Sequence, residues 1–118
     1  MADTIKPHKK GDTWDGVEFH FETENNGIYS DMNLTGYSFS AKFKTSPQGS
    51  VLWEFSTANG LITCPTPTNG KIYFMPQVIN YKPQRYIFGI EMVAPDGRVT
   101  TITDGANPLV WTILPDIT

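Results

Sequence analysis

The chain has 118 residues, with 9 Lys and Arg against 12 Asp and Glu, giving a formal net charge of −3. That is the length of one domain, and such a chain buries roughly two-thirds of its unfolded surface, enough for one core without staples. Charged residues make up 18% and aromatics 13%, a balance that excludes a disordered chain and, with no basic stripe, a dedicated nucleic-acid binder.

The chain begins Met1-Ala2-Asp3-Thr4-Ile5-Lys6-Pro7-His8-Lys9-Lys10, with no apolar signal core. Its short basic cluster reads as a solvated, flexible N-terminal arm over 1–10, with a single domain over 11–118. No apolar run approaches the ~18 residues of a membrane span. Cys64 is the lone cysteine, so neither a disulfide framework nor a thiolate metal cluster is expected. An unpaired thiol and no signal peptide suit a protein made in the cytosol.

Glycine and proline punctuate the chain, and the runs between them alternate with period two, the spacing of strands. Val17, Phe19 and Phe21 face one way while Glu18, His20 and Glu22 face the other. Asn25-Asn26-Gly27 ends this strand, and a polar loop is expected through Asn33. Tyr37, Phe39, Ala41 and Phe43 form the apolar face of the next strand, and Ser46-Pro47-Gln48-Gly49 turns. A third strand has Val51, Trp53 and Phe55 inward. Asn59-Gly60 and Asn69-Gly70 read as tight turns, because both residue types tolerate positive φ. Between them Leu61–Cys64 makes a short or edge strand, limited by Pro65 and Pro67. Lys71–Met75 follows. Arg85–Val93 reads as one strand, apolar enough on both faces to be central. Pro95-Asp96-Gly97 closes a hairpin to Arg98–Thr103, Asp104-Gly105 turns again, and Leu109–Ile113 ends the fold. About eight short strands with turn chemistry between them predict an all-β, antiparallel sandwich or barrel.

Residues that carry chemistry are few. His20, flanked by Glu18 and Glu22 on one strand face, has the makings of a carboxylate–His metal or acid/base site, but alternating polar residues also describe any solvated sheet face. The plainer reading leaves no metal site. Cys64 reads as an inert thiol. Asp12 and Asp15 offer too few ligands for calcium, and Asp12 is expected to cap its own turn. Trp53 and Trp111 are in phase with apolar neighbours and are assigned to the core. Trp14, Tyr29 and Tyr81 fall in expected turns or loops and are the interface candidates.

The order of turn and strand signals carries a resemblance. Gly11-Asp12-Thr13-Trp14, Leu34-Thr35-Gly36, Gly60-Leu61-Ile62, Asn69-Gly70-Lys71-Ile72, Arg85-Tyr86 through Glu91, Asp96-Gly97-Arg98-Val99, Asp104-Gly105 and Val110-Trp111-Thr112-Ile113 occur in sequence. This order resembles the Ig-like β-sandwich domains of bacteriophage and prophage virion proteins, in particular the N-terminal domain of baseplate upper proteins, over residues 11–114. The resemblance implies an Ig-like β-sandwich of about 7–9 strands and a non-catalytic structural role. It implies a tail- or baseplate-associated adaptor that docks to other virion subunits, with a homo-oligomer in the assembly. It implies no cofactor, no nucleic acid, no membrane, and assembly in the host cytoplasm. The alternative is a carbohydrate-binding β-sandwich module that uses loop aromatics.

Overall fold

The structure, a computed structural model, describes residues 5–103 and 106–116. It is all-β, with one short 3-10 turn at Pro67–Asn69 and 14 strands among the described residues. In chain order these are β1 (Ile5–Lys9), β2 (Thr13–Trp14), β3 (Val17–His20), β4 (Glu22–Asn25), β5 (Ile28–Asp31), β6 (Ser38–Phe43) and β7 (Trp53–Ser56). Then come β8 (Ile62–Thr63), β9 (Lys71–Phe74), β10 (Gln77–Val78), β11 (Gln84–Phe88), β12 (Ile90–Val93), β13 (Val99–Ile102) and β14 (Leu109–Leu114).

The expected central strand is present but broken at Gly89 into β11 and β12. β12 pairs antiparallel with β13 on one side and β6 on the other, and β7 extends that sheet. β11 pairs antiparallel with β14. On its far side it meets the end of the β6 strand, where Lys44 and Ile87 exchange N–H···O bonds of 2.9 and 2.7 Å. The return strand is broken too. Phe88 faces Leu109 and Ile90 faces Ile102, so two steps along one strand correspond to seven along the other, a surplus of five residues opposite Gly89. Such an insertion terminates one pairing and restarts another, as bulges do. A Cβ on Gly89 would lie 3.0 Å from Thr101 Cγ2, so any other residue here would make that exposed threonine shift. The expected turn at Asp104-Gly105 lies outside the described residues.

A second sheet runs β3–β9–β8, and β10 pairs with β2. One core lies between the layers. Phe55 of β7 meets Phe74 of β9 edge-on at 5.5 Å and 90°, and Phe74 meets Phe88 of β11 at 6.4 Å. Trp111 is fully buried, and its indole N–H donates to the Lys6 carbonyl at 3.1 Å. That bond satisfies the one polar atom a buried indole brings with it.

Three expectations are corrected here. Residues 1–10 were expected as a flexible arm, but Ile5–Lys9 is strand β1, parallel to β14, with Ile5 only 2% exposed. An isoleucine in reach of an unpaired edge gains both ladder bonds and burial, and the lysines beside it stay in solvent. Residues 1–4 lie outside the description. Asn25–Asn33 was expected as a strand end and loop, but it holds the turn and second strand of a hairpin, β4–β5. At the third strand, Val51 lies exposed ahead of β7, which starts at Trp53.

Candidate functional site

The β4–β5 hairpin occupies the connection between β3 and β6. It turns at Asn26 (φ 53°) and Gly27 (φ 80°). Two positive-φ residues between two strands make the turn whose twist matches that of the ladder. Glu22 faces Asp31 and Asn25 faces Ile28. A Thr23 Oγ1–Ser30 Oγ hydrogen bond of 3.2 Å crosses the ribbon. Every residue of both strands is exposed, with Ile28 at 71% and Tyr29 at 66%. The hairpin is fastened at its base, where Phe21 N–H donates to Gly70 O at 2.7 Å and Met32 N–H to Phe21 O at 3.0 Å. Gly70 (φ 71°) is the residue that permits this approach. A Cβ there would stand 2.3 Å from the Phe21 oxygen. The result is an arm anchored on the sandwich and clear of it.

The base of the arm carries polar chemistry. His20 Nε2 lies 2.7 Å from Asp31 Oδ1. Glu22 completes a group with them in which the candidate ligand atoms all lie within 4.8 Å of one another. The sequence pointed to His20 and Glu22 but also to Glu18, which is not in this group. Asp31 replaces it, brought in by the hairpin pairing.

The three interface candidates are not brought together. Tyr29 stands on the arm as an exposed aromatic. Trp14 is corrected: it is in β2, only 6% exposed, with its ring 4.5 Å from that of Trp111 and 6.1 Å from Phe55. Pairing of β2 with β10 pulls it inward. Tyr81 is half-buried and lies flat on Trp53 at 3.8 Å and 2°, while Phe43 stacks on Trp53 at 3.8 Å and 10°. Burial, and then the neighbouring Tyr86, push the Tyr81 phenol above its ordinary value. Trp53 Nε1 is buried without a hydrogen-bond partner among the described residues.

Elsewhere, a cleft of about 450 Å³ opens beside the Gly89 break. It carries Lys42 and Lys44 but also Glu91, with Ser40 and Thr101 between them, so it presents no single charge. Cys64 donates to Lys71 O at 3.4 Å, and burial raises its thiol pKa, which suits an inert thiol. Asp12 makes its hydrogen bonds through the backbone, its carbonyl facing His8 Nε2 at 3.0 Å and Ile79 N–H at 3.3 Å. No helix among the described residues is long and apolar enough to cross a membrane.

Sequence reasoning missed the arm as an element. Asn26-Gly27 is the strongest short hairpin signal there is, but its flanks, Glu22–Asn25 and Ile28–Asp31, lack alternating apolar residues because neither face meets the core. Comparison with protein-family models and with curated proteins gives no match.

Proposed function

We propose that the chain is a non-catalytic assembly module of a bacteriophage or prophage virion. In this reading it is an Ig-like β-sandwich that docks to other tail or baseplate subunits through the β4–β5 arm. The observation that carries the docking role is the arm itself. An eight-residue ribbon that buries none of its own side chains, and yet presents Ile28 and Tyr29 to solvent, gains from a partner what it lacks alone. Tyrosine is well suited to such a contact, with a rigid ring and few rotamers to freeze. The Ig-like reading is supported by the parallel edge strand β1 on β14, by β6 and β14 flanking the broken central strand, and by Tyr86. The Tyr86 hydroxyl donates to Lys82 O four residues upstream at 2.6 Å, the arrangement of a tyrosine corner at the start of a sandwich strand. The virion assignment follows the order of turns and strands along the chain.

The test is incorporation. Particles induced from the host and purified by density gradient are analysed by mass spectrometry, with the wild-type chain or Ile28→Asp/Tyr29→Ala supplied in trans. The chain is expected in wild-type particles and depleted at least about tenfold in the variant, while the thermal midpoint of the isolated variant stays unchanged. Absence of the wild-type chain from particles overturns the assignment to a virion. Full incorporation of the variant overturns the role of the arm.

A second reading, glycan binding, draws on Tyr81, a half-buried aromatic that lies flat on Trp53 and lines a groove with Lys82 and Gln84. Aromatic faces with nearby donors suit sugar rings. Glycan-array binding abolished by Tyr81→Ala and kept by Tyr29→Ala would favour it over the docking arm.

A further inference from the structure

The base of the arm supports an inference independent of the virion assignment. His20 ends β3 and Glu22 begins β4, and between them Phe21 packs inward, its ring 6.3 Å from that of Phe39. Alternation along extended chain therefore sends His20 and Glu22 to one outer face. Asp31, at the end of β5, is registered directly opposite Glu22. Two carboxylates opposite one another on paired strands repel. His20 meets Asp31 at 2.7 Å. The Glu22 carboxylate, by contrast, has no hydrogen bond or ion pair among the described residues. Arg98 lines a groove together with Glu22 without forming an ion pair to it.

The geometry points to a divalent-cation site at the root of the arm, with the His20 imidazole and the Glu22 and Asp31 carboxylates as ligands and solvent completing the shell. One nitrogen and two oxygen donors suit a first-row ion such as Zn²⁺, Ni²⁺ or Co²⁺. Ca²⁺ and Mg²⁺ prefer shells of oxygen alone. Ligand bonds of about 2.1 Å hold donors of a tetrahedral ion roughly 3.4 Å apart. The present spread of up to 4.8 Å closes by rotation of side chains that are all exposed. An ion here neutralises the Glu22–Asp31 repulsion. It also clips the end of β5 to the junction of β3 and β4, fixing a ribbon whose pairing alone is marginal.

The experiment is a calorimetric titration of the full chain with Zn²⁺, with Ca²⁺ and Mg²⁺ as comparators, followed by amide hydrogen exchange over residues 22–31. One Zn²⁺ per chain is expected, with slower exchange in the arm and no saturable response to Ca²⁺ or Mg²⁺. His20→Gln and Asp31→Asn should each weaken Zn²⁺ at least about tenfold, since loss of a direct ligand exceeds the effect of losing an outer partner. His20→Gln retains a donor for Asp31, and circular dichroism checks that its fold is kept. His8→Ala, which removes the other histidine, should bind as wild type. Absence of saturable Zn²⁺ binding, binding that survives His20→Gln, or binding lost in His8→Ala overturns the site. None of these readouts depends on particle incorporation.

Discussion

Trp14 separates two accounts of this molecule, because the chain around it reads as a surface turn while the structure packs its indole against Trp111 and Phe55. Truncation to alanine tests which is right. A buried aromatic removes about 150 Å² or more from water, which at roughly 25 cal/mol per Å² amounts to about 4 kcal/mol. That figure is an upper estimate, because an unfolded chain already hides part of its apolar surface. Two aromatic contacts, each contributing about 0.5–1.5 kcal/mol, act in the opposite direction and restore it. The expected loss is therefore about 4 kcal/mol, within the usual range for Trp→Ala in a core. With a urea m-value of about 1.5 kcal/mol/M for a domain of this size, the midpoint should fall by about 2.7 M. Equilibrium urea unfolding followed by circular dichroism reads this directly. If Trp14→Ala leaves too little folded protein to measure, Trp14→Phe keeps a ring in place and should lower the midpoint by about 1 M. A midpoint unchanged in both variants, with m unchanged, would refute the placement of Trp14 in the core. The result also bears on ligand assays: lost binding in Trp14→Ala would report unfolding rather than a missing contact.

Two further outcomes follow from particular geometries. Gly70→Ala puts a Cβ 2.3 Å from the Phe21 carbonyl at φ 71°, so it should cost about 2 kcal/mol or more in thermal unfolding. Gly27→Ala, where nothing lies within 4 Å, should cost about 1 kcal/mol and show up only as faster exchange in the arm. Equal effects at the two sites would contradict the close approach at Gly70. Burial raises the Cys64 thiol pKa above its ordinary 9.0, so the folded state holds that proton more tightly than the unfolded one. The stability linked to this group is intact below the unfolded value and declines as pH rises from there through the folded value. Alkylation by iodoacetamide at pH 8 should accordingly be slower for the native chain than for the urea-unfolded chain. Equal rates would contradict the burial.

How much of this was legible depends on what each residue touches. Phe39, Ala41 and Phe43 announced β6 because one face of that strand meets the core and the other meets water, which is the condition for clean alternation. The turn at Asp96-Gly97 was legible for a backbone reason: Gly97 has φ 92°, and Ala94 N–H closes on Arg98 O at 2.9 Å. The break at Gly89 was not legible, since a glycine in an apolar run looks like a weak strand position until the surplus on the partner strand is known. β1 was missed because Lys6, His8 and Lys9 dominate its composition, while its pairing with β14 is fixed by backbone groups and by Ile5, its one buried residue. The site at the arm's base was half legible. Spacing along one strand gave His20 and Glu22, but Asp31 arrives through a pairing between strands that carry no apolar signal.

In the proposed reading, stability and docking are carried by separate parts of this chain, and the separation is physical. The aromatic network runs from Trp14 through Trp111, Phe43 and Phe55 to Phe74 without using any residue of β4 or β5. The sandwich therefore holds its fold whatever the arm does, and the arm's sequence is released from the demands of core packing. Exposed connections on a rigid scaffold are where such freedom is ordinarily spent on recognition. The attachment at Phe21, Gly70 and Met32 rests on backbone hydrogen bonds and on one glycine's conformation. It fixes where the arm leaves the sandwich without dictating which side chains the arm presents. Substitutions at Ile28 or Tyr29 should then change partner choice at constant thermal midpoint, whereas Gly70→Ala should disturb the arm's direction and the fold together. A variant at Tyr29 that lowered the midpoint by several degrees would show that the arm contributes to the core after all, and the division between scaffold and docking element would fall.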